Sequence, residues 1–232
     1  EQKEQKEQKE KEGAETKEDK DQDKDNKDEN GEKNATSSPP STFTLTVNEI
    51  QFKKGSLTVI AGKVGSGKSS FLSALLGEMS LVDDSGSVIV RGSVSYCSQE
   101  PWIQNATLRD NITFGSPFDQ EKYDSVLEAC ALTSDIHALP GGDMTEIGER
   151  GINLSGGQKA RVSLGRACYA DTDIVILDDI LSAVDAHVAR TITDKCLVQL
   201  LRNQGKTVVL ATHQTLCFPD SDRIIVIKEG AI

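Results

Sequence analysis

Residues 56–69 read SLTVIAGKVGSGKS, an apolar run followed by a glycine-rich loop and the start of a helical pattern. The run Ser56–Ala61 contains β-branched residues and predicts a buried strand. The loop Gly62–Ser69 fits G-x-x-x-x-G-K-[ST], which cradles phosphate where it joins a strand to a helix. Glycines let backbone N–H groups turn toward phosphate oxygens, and the helix N-terminus adds partial positive charge. The pattern therefore predicts a phosphate-binding loop.

The loop predicts a site for ATP with Mg²⁺. We expect Lys68 to contact the β- and γ-phosphates and Ser69 to ligate Mg²⁺. The residues predicted to bind the cofactor are Gly62, Gly65, Ser66, Gly67, Lys68, Ser69 and Ser70.

Two further motifs follow along the chain. The run IVILDD, Ile174–Asp179, predicts a buried strand that carries Asp178 to its carboxyl end, where an acid can hold Mg²⁺ directly or through water. The string LSGGQ, Leu154–Gln158, predicts a helix N-terminus with a hydroxyl and two glycines. Such a terminus either binds an anion or serves only as a helix cap.

The order of strands and helices predicts the fold class. The β-type runs alternate with helical patterns, which indicates a mostly parallel sheet with crossover helices. Helical periodicity over about 105–165 predicts an α-helical subdomain inserted into this core. Runs at Val88–Val90 and Val94–Tyr96 predict two strands joined by a turn, and Thr42–Ile50 predicts an edge strand. We therefore expect an α/β fold, a P-loop NTPase core with an antiparallel β edge.

The first forty residues differ in composition from the rest of the chain. Residues 1–40 hold nine Lys and fourteen Asp or Glu but no Leu, Ile, Val, Phe, Tyr or Trp. Such a stretch cannot bury enough apolar surface to offset the entropy of ordering. We expect residues 1–41 to be a disordered, acidic, low-complexity segment and 42–232 to form one domain. The rest of the chain carries 17 basic and 23 acidic residues, and this acidic balance argues against general nucleic-acid binding.

Cysteine usage fits a reducing compartment. The five cysteines are odd in number, widely spaced and without a CxxC pair, which indicates ordinary thiols in preference to metal or disulfide roles. The sequence contains no apolar run near the about 18 residues that a membrane-spanning helix needs, so this chain is not expected to span a membrane itself.

On these motifs, the chain resembles nucleotide-binding domains of ABC transporters over nearly all of residues 42–232. Gln99 resembles the Q-loop glutamine, TEIGERG at 145–151 the exporter X-loop, Ser182–Asp185 the D-loop and His213 the H-loop histidine. The runs SQEPWIQNATLRDNITFG (98–115) and LDDILSAVDAHV (177–188) are most similar to the first such domain of subfamily C, the multidrug-resistance-associated type.

The resemblance implies a catalytic set of Asp179, His213 and Gln99. Gln99 would reach the Mg²⁺ and the attacking water, so the implied metal ligands are Ser69, Gln99 and Asp178. His213 follows the apolar run TVVLAT and would hydrogen-bond the γ-phosphate.

The resemblance also implies partners. A second nucleotide-binding domain would form a head-to-tail dimer, in which this chain's signature acts on the partner's ATP. The signature residues are Leu154, Ser155, Gly156, Gly157 and Gln158. The segment around Trp102 would touch transmembrane domains of the same polypeptide, unless Trp102 is only a packing aromatic.

Two departures from the family pattern stand out. Asp179 occupies the position where hydrolytically strong ABC sites carry Glu. Asp is one methylene shorter, so the resemblance implies a site that binds ATP firmly and hydrolyses it slowly. No Tyr, Trp or Phe precedes Phe43, although the family stacks adenine on an aromatic residue in a strand before that position. We expect the domain to be incomplete at both ends.

Three functions compete. The resemblance implies an ATPase at the cytoplasmic face of a membrane that drives export of organic anions or conjugates, including glutathione conjugates. A regulatory domain that gates a channel or channel partner of the same subfamily would carry the same motifs, and the sequence does not separate the two. A soluble ABC ATPase acting on DNA or ribosomes is disfavoured, because residues 105–155 contain no coiled-coil insertion.

Overall fold

The computed structural model describes residues 43–82, 86–148 and 152–232. The predicted disordered segment 1–41 lies outside these ranges, as do residues 149–151 of the TEIGERG motif. None of the helices in the described ranges combines the length and the apolar character needed to cross a bilayer.

A parallel sheet forms the centre of the domain. The strands are β1 (Leu57–Ala61), β2 (Val94–Cys97), β3 (Ala106–Thr107), β4 (Glu146–Ile147), β5 (Ile174–Asp178), β6 (Thr207–Thr212) and β7 (Arg223–Val226). Strands β2, β5, β6, β1 and β7 lie side by side in that order, and every neighbouring pair is parallel. Strands β1 and β6 are buried along their whole length, as continuous apolar runs in a parallel sheet predict.

Helices fill the connections between these strands. They are α1 (Lys68–Leu75), α2 (Leu108–Thr113), α3 (Gln120–Ala129), α4 (Thr133–Ala138), α5 (Gly156–Tyr169) and α6 (Ala186–Thr191). Helix α6 continues as a π-helical segment, Ile192–Leu201, and a short 3₁₀ turn. The predicted cap of α3 is present, because the Asp119 carboxylate accepts the Lys122 backbone N–H at 2.8 Å. The predicted α/β fold is confirmed: a P-loop NTPase core with a mostly parallel sheet, helices and a small antiparallel pair.

The antiparallel pair differs in place from the expectation. It joins β3 to β4. The run Val88–Val90 is exposed and forms no strand, while β2 pairs in parallel with β5 and not with that run. The predicted edge strand within Thr42–Ile50 is reduced, in the described residues, to a single bridge between Thr46 and Ala231. Local alternation indicates that a run can extend, but only a partner strand makes it part of a sheet.

Candidate functional site

The loop between β1 and α1 has the strand–loop–helix context that the phosphate-binding motif requires. It carries the predicted cofactor residues Gly62, Gly65, Ser66 and Gly67, and α1 opens with Lys68, Ser69 and Ser70. Gly67 has a φ of 105°, a left-handed conformation that favours glycine. A Cβ on Gly62 would lie 2.5 Å from both the Ser66 Oγ and the Ile227 carbonyl oxygen. Glycine at both positions therefore lets the backbone fold tightly against the start of α1.

The Lys68 ammonium group lies inside this loop. Its Nζ donates to the carbonyl oxygens of Gly62 and Lys63, at 3.0 Å each. The Ser66 Oγ is buried and has no hydrogen-bond partner among the described residues. A buried cation, an unpartnered hydroxyl and a helix N-terminus all offer what phosphate oxygens accept. The residues present therefore fit a nucleotide phosphate.

Two predicted Mg²⁺ ligands, Ser69 and Asp178, lie near each other at the carboxyl edge of the sheet. Strand β5 ends at Asp178, which is buried, and the Ser69 side chain is near enough to lower the pKa of that carboxyl group. Burial has the larger effect and raises the pKa of Asp178, whereas Ser69 and Lys68 act to lower that pKa. A carboxylate and a hydroxyl are hard oxygen ligands of the kind that Mg²⁺ prefers. Two of the three predicted metal ligands are thus brought together, and they fit that cation.

Asp179 and His213 are also in contact. The Asp179 Oδ2 lies 3.2 Å from the His213 Nδ1, and its Oδ1 accepts the Thr212 hydroxyl at 3.2 Å. The Asp179 backbone is left-handed, with a φ of 47°, and its N–H donates to the Ala211 carbonyl oxygen at 2.8 Å. The carboxylate is therefore oriented from β6, the strand that ends next to His213.

The LSGGQ string begins helix α5. Ser155 is the N-cap: its Oγ accepts the Gln158 backbone N–H at 3.3 Å, and the Gln158 side chain accepts the Ser155 N–H at 2.9 Å. Gly156 has open space around it, whereas a Cβ on Gly157 would lie 2.8 Å from the Ala183 carbonyl oxygen. The beginning of α5 thus combines a capped terminus, an accessible glycine and close contact with the 182–185 loop.

These local geometries agree with a comparison against protein families. The model of the family described as ABC transporter matches residues 45–182, more than half of the chain. The chain belongs to the ABC transporter family. Its relatives place it in subfamily C, the multidrug-resistance-associated type, as a nucleotide-binding domain.

Three of these ABC relatives show the extent of the similarity. The chain is 53% identical over 191 residues to ABC transporter C family member 3 of Dictyostelium discoideum, covering 82% of this chain and 13% of that protein. It is 56% identical over 189 residues to multidrug resistance protein mrp-7 of Caenorhabditis elegans, covering 82% and 12%. It is 54% identical over 183 residues to ATP-binding cassette sub-family C member 2 of Mus musculus, covering 79% and 12%. The chain therefore spans about one eighth of the length of these relatives.

Gln99 is the third predicted metal ligand of this ABC domain, and in the described part of the chain it forms no hydrogen bond with the other two. Gln99 lies two residues beyond β2, whose neighbour β5 carries Asp178, so both leave the same edge of the sheet. The Gln99 residue is exposed, and its side chain has no hydrogen-bond partner within the described residues. Gln99 therefore lies at the same edge of the sheet as Asp178, and no hydrogen bond joins these two described residues, so its role as a metal ligand stays a prediction.

Trp102 both packs and remains exposed. The Arg166 guanidinium lies 4.0 Å from the centre of the Trp102 ring and 5.0 Å from that of Phe114. Arg166 also donates to the Asn111 carbonyl oxygen at 2.8 Å and to the Trp102 carbonyl oxygen at 3.3 Å. Trp102 is nevertheless 49% exposed and Phe114 47%. An aromatic surface patch, Trp102 with Phe114, is thus held by a buried arginine on α5.

Several residues beside the site were not among the site residues predicted from the sequence. Thr212 orients Asp179, as described above. The Asp135 carboxylate accepts the Gln158 side-chain amide at 2.9 Å and pairs with Arg161 at 2.8 Å, which holds the start of α5. Burial and then Asp178 raise the pKa of Tyr96 to about 12. Tyr96 lies near the site because β2 pairs with β5, and Asp135 lies on a separate helix, so no sequence signal identified either residue.

Proposed function

We propose that residues 42–232 are the first ATP-binding domain of a subfamily C exporter, with a helical subdomain at about 105–165. In this proposal, binding and hydrolysis of ATP with Mg²⁺ drive export of organic anions or conjugates. One observation carries the ATP-binding part of the proposal: Lys68, Ser69 and Asp178 converge where a strand-to-helix loop meets the carboxyl end of β5. Bound Mg²⁺ would supply charge neutralisation at the β- and γ-phosphates.

Each residue of the site has a proposed role in binding ATP or Mg²⁺. The loop N–H groups and Lys68 would hold the phosphates, Ser69 and Asp178 would hold the cation, and Gln99 would complete its surroundings. His213, which is 44% exposed at the end of β6, would hydrogen-bond the γ-phosphate.

We further propose that this domain's own site hydrolyses slowly. Asp179 stands where a general base would act, but its carboxylate is held by Thr212 and His213 at 3.2 Å each. A carboxylate that is one methylene short and tied to β6 leaves the attacking water poorly oriented. Misplacement of a catalytic group by about 1 Å can cost about 10²-fold in rate.

The signature of this domain would act on the partner's ATP. In a head-to-tail dimer with a second nucleotide-binding domain, Ser155 and the N-terminus of α5 would contact the γ-phosphate bound to that domain. The open space at Gly156 supports this contact, because it allows close approach of another molecule. Leu154, Gly157 and Gln158 would support the terminus from within the domain.

The remaining partners would be transmembrane domains of the same polypeptide, met through the Trp102–Phe114 patch at the cytoplasmic face of a membrane. The test uses inside-out vesicles that contain the complete protein and measures ATP-dependent uptake of a glutathione conjugate. Lys68→Ala should abolish uptake, whereas Lys63→Ala, which changes an exposed lysine of the same loop, should retain it. Wild-type vesicles that show an ATP-dependent ion current and no conjugate uptake would contradict the export function and favour a channel regulator.

A further inference from the structure

Three cysteines that are far apart in sequence meet in the core. Cys130 ends α3, Cys168 lies in the last turn of α5, and Cys196 lies in the π-helical segment that follows α6. Their three sulfur atoms all lie within 4.8 Å of one another, and the Sγ atoms of Cys168 and Cys196 are 3.4 Å apart. Spacing along the chain gave no sign of this cluster, because each residue comes from a different helix.

The cluster offers three sulfur ligands in an apolar setting. Cys130 and Cys196 are fully buried and Cys168 is 7% exposed, and all three belong to the main hydrophobic core. The charged neighbours in sequence turn away from the sulfurs, because Lys195 and Glu128 pair with each other at 2.7 Å on the surface. Soft thiolate donors select soft, thiophilic centres over Mg²⁺ or Ca²⁺.

Charge then narrows the choice of ligand. Three thiolates around a monovalent or divalent cation leave a net negative charge, and burying an uncompensated charge is costly. Structural zinc sites also take four protein ligands, whereas the described residues supply three here. A trivalent centre that forms three bonds to sulfur gives a neutral complex and needs no fourth ligand.

We propose that Cys130, Cys168 and Cys196 bind trivalent arsenic as a three-coordinate thiolate complex. Arsenous acid, As(OH)₃, reacts with three thiols to form three arsenic–sulfur bonds, and each departing hydroxide leaves as water with a thiol proton. Arsenic stays trivalent and sulfur stays at the thiol level, so no oxidant or reductant is required. A disulfide between Cys168 and Cys196 would instead need an oxidant.

One member of the cluster, Cys168, lines a cavity. The cavity has a volume of about 250 Å³, and its lining is partly apolar and partly polar or charged: Cys168, Val126, Leu200, Leu201, Ser125, Gln204, Lys122, Lys206 and Asp171. Arsenous acid is small and uncharged at neutral pH, so it can enter without losing the hydration shell of an ion. Its binding would cross-link three helices and therefore stabilise the fold, as ligands that bind only the native state do.

The test adds sodium arsenite to the reduced 232-residue chain. Native mass spectrometry should show one arsenic bound with loss of three protons, and X-ray absorption at the arsenic edge should show three sulfur neighbours. The thermal midpoint should rise with arsenite concentration. Cys168→Ala should weaken arsenite binding by more than the about 10- to 100-fold that loss of an outer-shell partner costs a metal site.

Cys217→Ala is the matched control, because Cys217 is equally buried and lies outside the cluster. It should bind one arsenic as the wild type does.

The absorption spectrum of the wild-type complex tests the site even if Cys168→Ala folds poorly. Failure of the wild type to bind arsenite, or arsenic held by fewer than three sulfurs, would overturn the proposal. Binding of Zn²⁺ in place of arsenite would overturn the choice of a trivalent centre. The proposed ATP chemistry uses none of these residues, so either idea can fail alone.

Discussion

Replacing Asp179 with Glu should raise the rate of ATP hydrolysis at the proposed slow site. The substitution adds one methylene and keeps the carboxylate. Asp179 now accepts one hydrogen bond from Thr212 and contacts His213 at 3.2 Å each, at the long end of the hydrogen-bond range of about 2.7–3.2 Å. The longer Glu side chain can extend past these two contacts toward the position of the attacking water.

The expected gain follows from the reach of the side chain. One methylene moves the carboxylate forward by roughly 1–1.5 Å, about one C–C bond. Because a misplacement of about 1 Å can cost about 10²-fold in rate, Asp179→Glu should raise turnover at this site by about 10- to 100-fold. That range corresponds to about 1.4–2.7 kcal/mol in the activation barrier.

Single-turnover hydrolysis in the complete protein is the assay, with the partner domain's site silenced by substitution of its own loop lysine. Asp179→Gln is the matched control, because it has the length of Glu without the carboxylate and should show no gain. A rate for Asp179→Glu that is unchanged or lower, at unaltered ATP affinity, would refute the reasoning. A gain shared by Asp179→Gln would show that release from Thr212 and His213, and not the base, limits the rate.

Three further substitutions test the site. Lys68→Ala should weaken ATP binding by about 1.5–3 kcal/mol, the value of a charge-assisted hydrogen bond, and unchanged affinity by calorimetry would contradict this. Ser155→Arg should leave ATP binding to this chain nearly unchanged while abolishing turnover of the complete protein; the reverse result would exclude action on the partner's ATP. Asp178→Asn should remove Mg²⁺-dependent binding yet raise the thermal midpoint of the nucleotide-free chain at pH 7. Because burial raises the pKa of Asp178, its ionised form opposes folding, and this destabilisation is present above the folded pKa and fades as pH falls below it. A lower midpoint for Asp178→Asn at pH 7 would contradict that sign.

The parts of the fold that could be predicted are those fixed by local sequence. The apolar run of β1, the glycines of the loop and the cap at Ser155 each dictate their own backbone, so their elements match expectation. The exposed run Val88–Val90 has the same β-type residues as a strand, but its fate depends on a partner that local sequence does not specify.

The candidate site also contains contacts that could be predicted from the sequence and contacts that could not. The pairing of Ser69 with Asp178 could be expected, because both motifs end at the same edge of a parallel sheet. The contact of Asp179 with Thr212 could not, since it depends on a left-handed backbone at Asp179. The convergence of Cys130, Cys168 and Cys196 likewise depends on how three helices pack, which residue spacing does not encode.

Arg166 connects the exposed aromatic patch, Trp102 with Phe114, to the signature through helix α5. Arg166 contacts the rings of Trp102 and Phe114 near one end of α5, and Ser155 caps the other end. At about 1.5 Å per residue, these two points lie about 16 Å apart along a single helix. A push on the indole would therefore tilt α5 as one body and displace its capped end. The guanidinium is the contact that joins the patch to α5, so a shorter side chain at this position would let the aromatic patch move without moving the signature.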